Sequence, residues 1–266
     1  MKIHPCAKVN LGLNIVSKRA DGYHNLQTVF YPINILDTIE TEEARQTELL
    51  LEGQRVEGDP EQNLVMRAYR MLAADFPLPP LRITLHKHIP MQAGMGGGSS
   101  DGTYMLRLLN EQFSLGLSTE EMQRYALRLG ADCPFFVTAR PAYAEGVGEQ
   151  LHPIDLDLSA YRMAVVKPPV AVSTREAFSR IVPQMPPVNC RDIVSRPVSE
   201  WRDTLTNDFE TSIFALYPEV ARIKQQLYDL GALYAVMSGS GSSVFGIFDF
   251  EPELHFDGCY TDVIKL

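Results

Sequence analysis

Between Pro90 and Asp101 the chain reads PMQAGMGGGSSD, and no other stretch restricts the local fold as tightly. Four glycines and two serines fall within the seven residues from Gly94 to Ser100. Glycine enters left-handed conformations freely and lets the backbone approach a neighbour closely, so a run this dense is a built loop. Leu81 to His86, just before it, alternates apolar and polar residues at the period of a strand. After it, Met105, Leu106, Leu108 and Leu109 form a helical stripe, which predicts a helix over Ser99 to Leu109. Strand, glycine loop and helix in that order turn several N–H groups and a helix dipole toward one spot, the geometry of a phosphate cradle. A single helix terminus contributes only about 0.3 to 1 kcal/mol toward a nearby anion, so a triphosphate requires several amides acting together.

Three nucleotide and nucleophile templates discriminate further. The pattern GxxxxGK[ST] fails because no lysine precedes Ser99 or Ser100, and GxGxxG fails because the third position holds Ser99. Gly98 to Gly102 formally matches GxSxG, which would make Ser100 a hydrolase nucleophile. That elbow belongs directly at a strand end, however, and here a flexible run intervenes, with His152 and His255 the available downstream histidines. A serine hydrolase on Ser100 stays as the distant alternative. A second glycine loop, MSGSGSSVF from Met237 to Phe245, lies between two expected strands and strengthens the phosphate reading.

Charge decides how such an anion is held. With 24 Lys and Arg against 33 Asp and Glu, the chain carries a net charge of −9. No whole-surface basic field exists to hold nucleic acid or an anionic membrane, so anions must be captured by local geometry. At 266 residues and 45 % hydrophobic, the chain is neither disordered nor collagenous nor a small disulfide scaffold. Cys6, Cys133, Cys190 and Cys259 are widely spaced and form no CxxC pair, which points to reduced thiols in a cytoplasmic protein. The N-terminus lacks an apolar signal core and no run approaches a membrane span, so the expectation is a soluble chain.

Strands are expected at Ile3 to Val16 and Leu26 to Ile39 around the Asp21-Gly22 turn, and β character continues at Leu49 to Leu51. Asn63 to Phe76 spaces its apolar residues as a helix. Ser118 to Leu129 is a second helix, with Ser118 and Glu121 at capping-box spacing and Gly130 as its stop. Cys133 to Val137 and Ala142 to Ile154 read as strands, the latter turning at Gly146 and Gly148. Beyond a boundary near Asp155 to Ala160, a strand at Met163 to Val166 precedes a short helix that carries Phe178 and opens with a Ser173/Glu176 capping box. Helices at Thr204 to Leu216 and Pro218 to Leu230 follow a proline-rich loop, and strands at Leu233 to Met237 and Val244 to Phe248 flank the second glycine loop. Strands and helices mix without regular βαβ alternation, which predicts an α+β protein in two subdomains, residues 1–157 and 158–266.

Several segments together resemble a known family. Ala7 to Ile15 with Arg19-Ala20-Asp21-Gly22-Tyr23-His24, the Pro90 to Asp101 loop, Leu129-Gly130-Ala131-Asp132-Cys133-Pro134-Phe135-Phe136, and Met237 to Phe245 are similar, in order, to the motifs of the GHMP kinases. The two glycine motifs point to the superfamily alone. RADGYH with GADCPFF resembles its diphosphocytidyl-methylerythritol branch. One departure is Gly102-Thr103, where small alanines are usual. Because glycine weakens a helix by about 1 kcal/mol relative to alanine, a looser helix start is expected there.

The resemblance implies a GHMP kinase fold with its active site in the cleft between the subdomains. It implies ATP-dependent phosphorylation of the 2-hydroxyl of a cytidine-diphosphate-linked methylerythritol, in the non-mevalonate route to isopentenyl diphosphate. A GHMP kinase for another small alcohol is the nearer alternative. By resemblance, Asp132 takes the proton from the acceptor hydroxyl, and Lys8 pairs with it and stabilises charge on the transferring phosphoryl group. Tyr23 and Phe178 would stack on cytosine, with Phe30 lining the pocket and His24 reading the base edge. Asn10 and Thr174 would contact the methylerythritol and diphosphate groups. For ATP, Asn63 and Lys87 would line the adenine pocket. Pro90, Met91 and Gln92 would lead into the phosphate wrap of Ala93, Gly94, Met95, Gly96, Gly97, Gly98, Ser99 and Ser100. Mg²⁺ would arrive with the nucleotide, with Ser99 or Ser100 reaching it or a phosphate oxygen. Apart from the small-molecule substrate, no nucleic acid or membrane partner is expected, and the chain would be a monomer or homodimer.

Overall fold

In the computed structural model, which describes residues 1–54, 56 and 58–266, the alternation that starts at Leu81 is a strand. Leu81, Ile83, Leu85 and Lys87 are all buried in it. In chain order the elements begin with strands β1 (Lys2–Ile3), β2 (Cys6–Lys18), β3 (His24–Leu36), β4 (Thr38–Glu43) and β5 (Glu48–Gly53). Helix α1 (Leu64–Asp75), strand β6 (Leu81–Lys87) and helices α2 (Gly97–Gln112), α3 (Thr119–Leu129) and α4 (Phe135–Thr138) follow. Then come β7 (Ala142–Glu145), β8 (Gln150–Pro153), β9 (Arg162–Lys167) and helices α5 (Thr174–Ser179), α6 (Cys190–Ile193), α7 (Phe209–Leu216) and α8 (Pro218–Asp229). Strands β10 (Tyr234–Met237), β11 (Val244–Phe248) and β12 (Tyr260–Lys265) complete the chain.

Two units divide these elements. The first comprises Met1–Ala7, Ile35–Met91 and Gly96–Arg140. Its sheet runs β1-β4-β6-β5, with β4 antiparallel and β5 parallel to β6, and the same unit contains α1 to α4. The second comprises Lys8–Asn34, Gln92–Met95 and Pro141–Leu266. It contains the sheet β10-β11-β9-β12, most of the sheet β2-β3-β7-β8, and α5 to α8. Within it Phe209, Ile213, Val220, Ile223 and Leu227 of α7 and α8 share a core with Ala164, Val166, Ala235, Val244 and Phe248. Each large apolar side chain buried this way contributes about 1.5–3 kcal/mol, which is why the helical stripes lie where they do.

Local sequence signals fare well where the partners are near in sequence. Ser118 and Glu121 form the full capping box at the start of α3. Three expectations change, and one strand was missed. Cys133 to Val137 is helix and turn rather than strand, because Phe135, Phe136 and Val137 are all buried and a short unbroken apolar run has no period to tell the two apart. Ser173 precedes α5 as expected but makes no side-chain cap bond. The expected helix from Thr204 begins at Phe209, because pairing with β2 takes the preceding residues: Leu13 donates to the Thr206 carbonyl at 2.8 Å and Asp208 donates back to Leu13 at 2.9 Å. Strand β12, antiparallel to β9, was not anticipated.

Lys87, at the end of β6, is 2 % exposed. Its ammonium donates to Asp37 and, at 2.7 Å, to Asp101 in α2, while the other Asp37 oxygen accepts from the backbone of His88 at 2.5 Å and Ile89 at 2.9 Å. Burial opposes the Lys87 charge, but the two carboxylates outweigh it and raise its pKa. Burial pushes the Asp101 carboxyl well above the usual carboxylate range, against the pull of Lys87 and with the help of Asp37. Lys87→Met leaves two buried carboxylates facing each other without a cation. It is expected to cost about 3–5 kcal/mol, read as a lower urea midpoint at an unchanged m value.

Candidate active site

The first glycine loop needs glycine at two positions in particular. Gly94 (φ +73°) and Gly96 (φ +67°) are left-handed, and a Cβ on Gly94 would lie 1.9 Å from the Ser238 carbonyl oxygen. Gly96 caps α2, so the helix opens at Gly97, two residues earlier than the apolar stripe predicts. The N–H groups of Gly97, Gly98 and Ser99 therefore stand in the first turn, where a helix supplies no acceptors. Gly98 is exposed, and a Cβ built on it would meet nothing within 4 Å. Amides in a first turn with open space above them fit an approaching phosphate. Met91 and Gln92 are exposed, whereas Pro90, Ala93 and Met95 are buried.

The two serines differ. Ser99 is half-buried, but Ser100 is fully buried, with its N–H on Gly96 at 2.8 Å and its hydroxyl on the Cys6 carbonyl at 2.7 Å. A serine so committed is no hydrolase nucleophile, and of the two serines Ser99 has the more open hydroxyl. Lys87 is likewise not an open adenine-lining side chain, since its ammonium is taken by Asp37 and Asp101. Asn63 caps α1, its side-chain oxygen accepting from Val65 at 2.9 Å.

Lys8 lies in the second unit, on β2, and is 3 % exposed. Its ammonium donates to Asn10 Oδ1 at 2.7 Å and to the Gly94 carbonyl at 3.2 Å, and lies 5.0 Å from the Phe30 ring centroid. Phe30 is itself buried at 2 %, so it forms the floor beneath this cation. Asn10 donates from Nδ2 to Thr28 at 2.9 Å, and Thr28 in turn donates to the Gly12 carbonyl at 2.5 Å. Ser238, from the second glycine loop, donates its hydroxyl to Gly94 at 2.9 Å and accepts the Asn10 N–H at 3.3 Å.

The RADGYH segment folds into a loop in the same unit. Arg19 pairs with Asp21 at 2.8 Å, and an Asp21 oxygen accepts the Tyr23 N–H at 3.1 Å. Tyr23 is 65 % exposed, free to meet a ligand ring. Phe178 stacks on His24 with centroids 5.0 Å apart and packs its ring edgewise with Phe209 at 4.9 Å. Phe178, expected to stack on cytosine, thus stacks here on the ring of His24. Burial, helped by Lys18, lowers the His24 pKa, so the imidazole is neutral at neutral pH. Thr174 Oγ1 lies 3.1 Å from Ser240 Oγ of the second glycine loop.

Asp132 belongs to the first unit, half-buried in the turn between α3 and α4. Sequence reasoning missed what steadies that turn. The Thr103 hydroxyl is 2.9 Å from both the Ser99 and Cys133 carbonyl oxygens, joining the first turns of α2 to the residue after Asp132. The signal was present as the Gly102-Thr103 departure, read only as a loosening. Gly102 also lets α1 approach α2 closely, since a Cβ there would lie 2.9 Å from Leu64 Cβ of α1. Cys133 beside it is inert, its thiol pushed up to about 11 by burial. Among the described residues no group of three or more His, Cys, Asp or Glu side chains could hold a metal ion. No helix among them is long and apolar enough to cross a membrane.

Residues 63–140 match the family model for the GHMP kinases N terminal domain and residues 191–254 that for the GHMP kinases C terminal, so the class is a GHMP kinase. A Bacteroides fragilis protein named 4-diphosphocytidyl-2-C-methyl-D-erythritol kinase is 52 % identical over 254 residues, covering 94 % of this chain and 93 % of that one. A crystal structure of 4-(cytidine 5'-diphospho)-2C-methyl-D-erythritol kinase superposes with a TM-score of 0.79 at 34 % identity, covering 92 % of this chain and 89 % of the other. Homoserine kinase from Cytophaga hutchinsonii shares the fold, with a TM-score of 0.69 at 14 % identity over 99 % of this chain and 93 % of its own. The chain belongs to the 4-diphosphocytidyl-2-C-methyl-D-erythritol kinase family.

Thr103→Ala removes the donor from a buried carbonyl beside Asp132. It is expected to lower stability by about 1–3 kcal/mol, measured by urea unfolding.

Proposed function

We propose that this chain uses ATP to phosphorylate the 2-hydroxyl of 4-diphosphocytidyl-2-C-methyl-D-erythritol, yielding the 2-phosphate and ADP on the non-mevalonate route to isopentenyl diphosphate. The observation that carries the reading is a buried lysine, Lys8, hydrogen-bonded to the glycine loop at Gly94, in a chain 52 % identical to a relative of that name. The family models at 63–140 and 191–254 fall within the proposed domains 1–157 and 158–266. Thiols without disulfides at all four cysteines suit a cytoplasmic biosynthetic enzyme.

Phosphoryl transfer asks a protein mainly for positioning and charge neutralisation. The Gly97, Gly98 and Ser99 amides would receive phosphate oxygens, as their first-turn position supports. Mg²⁺ bound with ATP supplies neutralisation of the phosphate charge, and the Ser99 hydroxyl is a hard oxygen donor suited to it. Asp132 would accept the proton of the acceptor hydroxyl, and Lys8 would stabilise charge at the transferring group. Tyr23, with its exposed ring, would stack on cytosine, while neutral His24 on Phe178 offers the base both a ring face and a hydrogen-bonding edge. Asn10 and Thr174 would hold the methylerythritol and diphosphate groups.

Incubation with ATP, Mg²⁺ and a panel of small alcohols, followed by mass measurement, is expected to yield phosphorylated product from the cytidine-linked alcohol. Product from another alcohol alone would overturn the assignment. Asp132→Asn is expected to lower kcat by about 10² to 10⁴-fold, the usual worth of a general base. Tyr23→Ala is expected to raise the acceptor KM by about tenfold, the scale of one lost base–aromatic stack.

A further inference from the structure

We infer that Asn207, which lies outside both glycine loops, is a positioning residue for phosphoryl transfer, setting the place of the Lys8 ammonium through the Ser238-Gly239 turn. The inference rests on the kinase reading above. Asn207 is 3 % exposed, and its whole side chain is used. Nδ2 donates to the carbonyls of Met237 at 2.7 Å and Gly239 at 2.8 Å, on either side of Ser238, while Oδ1 accepts the Phe209 N–H at 3.0 Å. Two donors on one nitrogen beside an acceptor are what a carboxamide offers, whereas Asp has no N–H donor and Ser or Thr has a single one.

Asn207 is itself anchored to the strand that carries Lys8. Leu13 bridges to it, and the flanking residues exchange backbone bonds with Leu13. The Asp208 carboxylate accepts from the Ile15 N–H at 2.7 Å and from Asn14 Nδ2 at 3.0 Å. One short segment thus grips β2 on one side and the Ser238-Gly239 turn on the other.

That turn touches both Gly94 and Asn10, whose oxygens receive the ammonium, and Ser238 also accepts the Asn10 N–H at 3.3 Å. Ser238 donates to Gly94 O, and a Cβ on Gly239 would lie 3.0 Å from Gly94 O and 3.5 Å from Asn10 Oδ1. Gly94 O and Asn10 Oδ1 accept from Lys8 at 3.2 Å and 2.7 Å. Moving the turn therefore moves both ends of the cradle in which the cation sits, while Asn207 itself meets neither substrate.

The test compares Asn207→Ala, Asn207→Ser, Ser238→Ala and the Asn207→Ala/Ser238→Ala double variant, with ATP, Mg²⁺ and 4-diphosphocytidyl-2-C-methyl-D-erythritol. Tyr228→Phe is the control, since it removes another buried-carbonyl bond on β10, the Tyr228 hydroxyl to Ala235 at 3.1 Å. Thermal melting checks folding throughout, and Asn207→Ser, which keeps one donor, stands in if the alanine variant does not fold. The expected result is a kcat lowered about ten- to hundredfold, since misplacement by about 1 Å can cost that much. Both KM values should stay within about threefold, the pattern of an interaction made in the transition state. The double variant should lose little more than the worse single, because both substitutions disturb one turn.

Unchanged kcat in folded Asn207 variants, an equal loss in Tyr228→Phe, or independent losses in the double variant would overturn the inference. So would failure of Asn207→Ser to fold, which would make the residue a strut. An inactive wild-type protein overturns the kinase reading and this inference with it, whereas an active wild type with unaffected variants overturns the inference alone.

Discussion

The carbonyl oxygen of Gly94 receives the Lys8 ammonium and the Ser238 hydroxyl, and the candidate residues of the second unit are arranged around that acceptor. A buried ammonium is tolerable only when its lost hydration is replaced, and Asn10, Gly94 and the Phe30 ring provide that replacement within the protein. The same contacts hold one glycine loop against the other, because Ser243 also donates to the Ala93 carbonyl at 3.3 Å. Charge placement and loop shape are thus one problem with one solution.

In the first unit the comparable device is ionic. Lys87, Asp37 and Asp101 join the end of β6 to the first turns of α2, and Asp37 also takes the two backbone N–H groups that follow Lys87. A buried ion network is a poor source of net stability but a demanding one geometrically, since each member needs its partners in place. It therefore suits a helix whose leading amides must face a fixed direction. On a chain of net charge −9, this matters more than any overall field.

What could be read from the sequence divides along the distance between partners. The Ser118–Glu121 box and the strand at Leu81 lie within a few residues and were visible. The glycine run announced a loop for anions because its chemistry is backbone chemistry. The ion pairs of Lys87 were not visible because Asp37 lies 50 residues away, and Asn207 passed unnoticed because its acceptors lie 30 and 32 residues away. Ser100 looked like a contact residue because its motif does not reveal which face of α2 it takes, and that face is buried. The family resemblance supplied the proposed roles of Lys8 and Asp132, which no local pattern would have assigned.

The glycines of the first loop are not interchangeable. At Gly94 a methyl group would collide with protein backbone, so folding itself keeps that position bare. At Gly98 the same methyl group would enter open space and the helix would welcome it. A library screened for thermal tolerance would therefore admit alanine at 98 and reject it at 94, while a screen for turnover would reject both, so the gap between the two screens would outline the space the ligand needs.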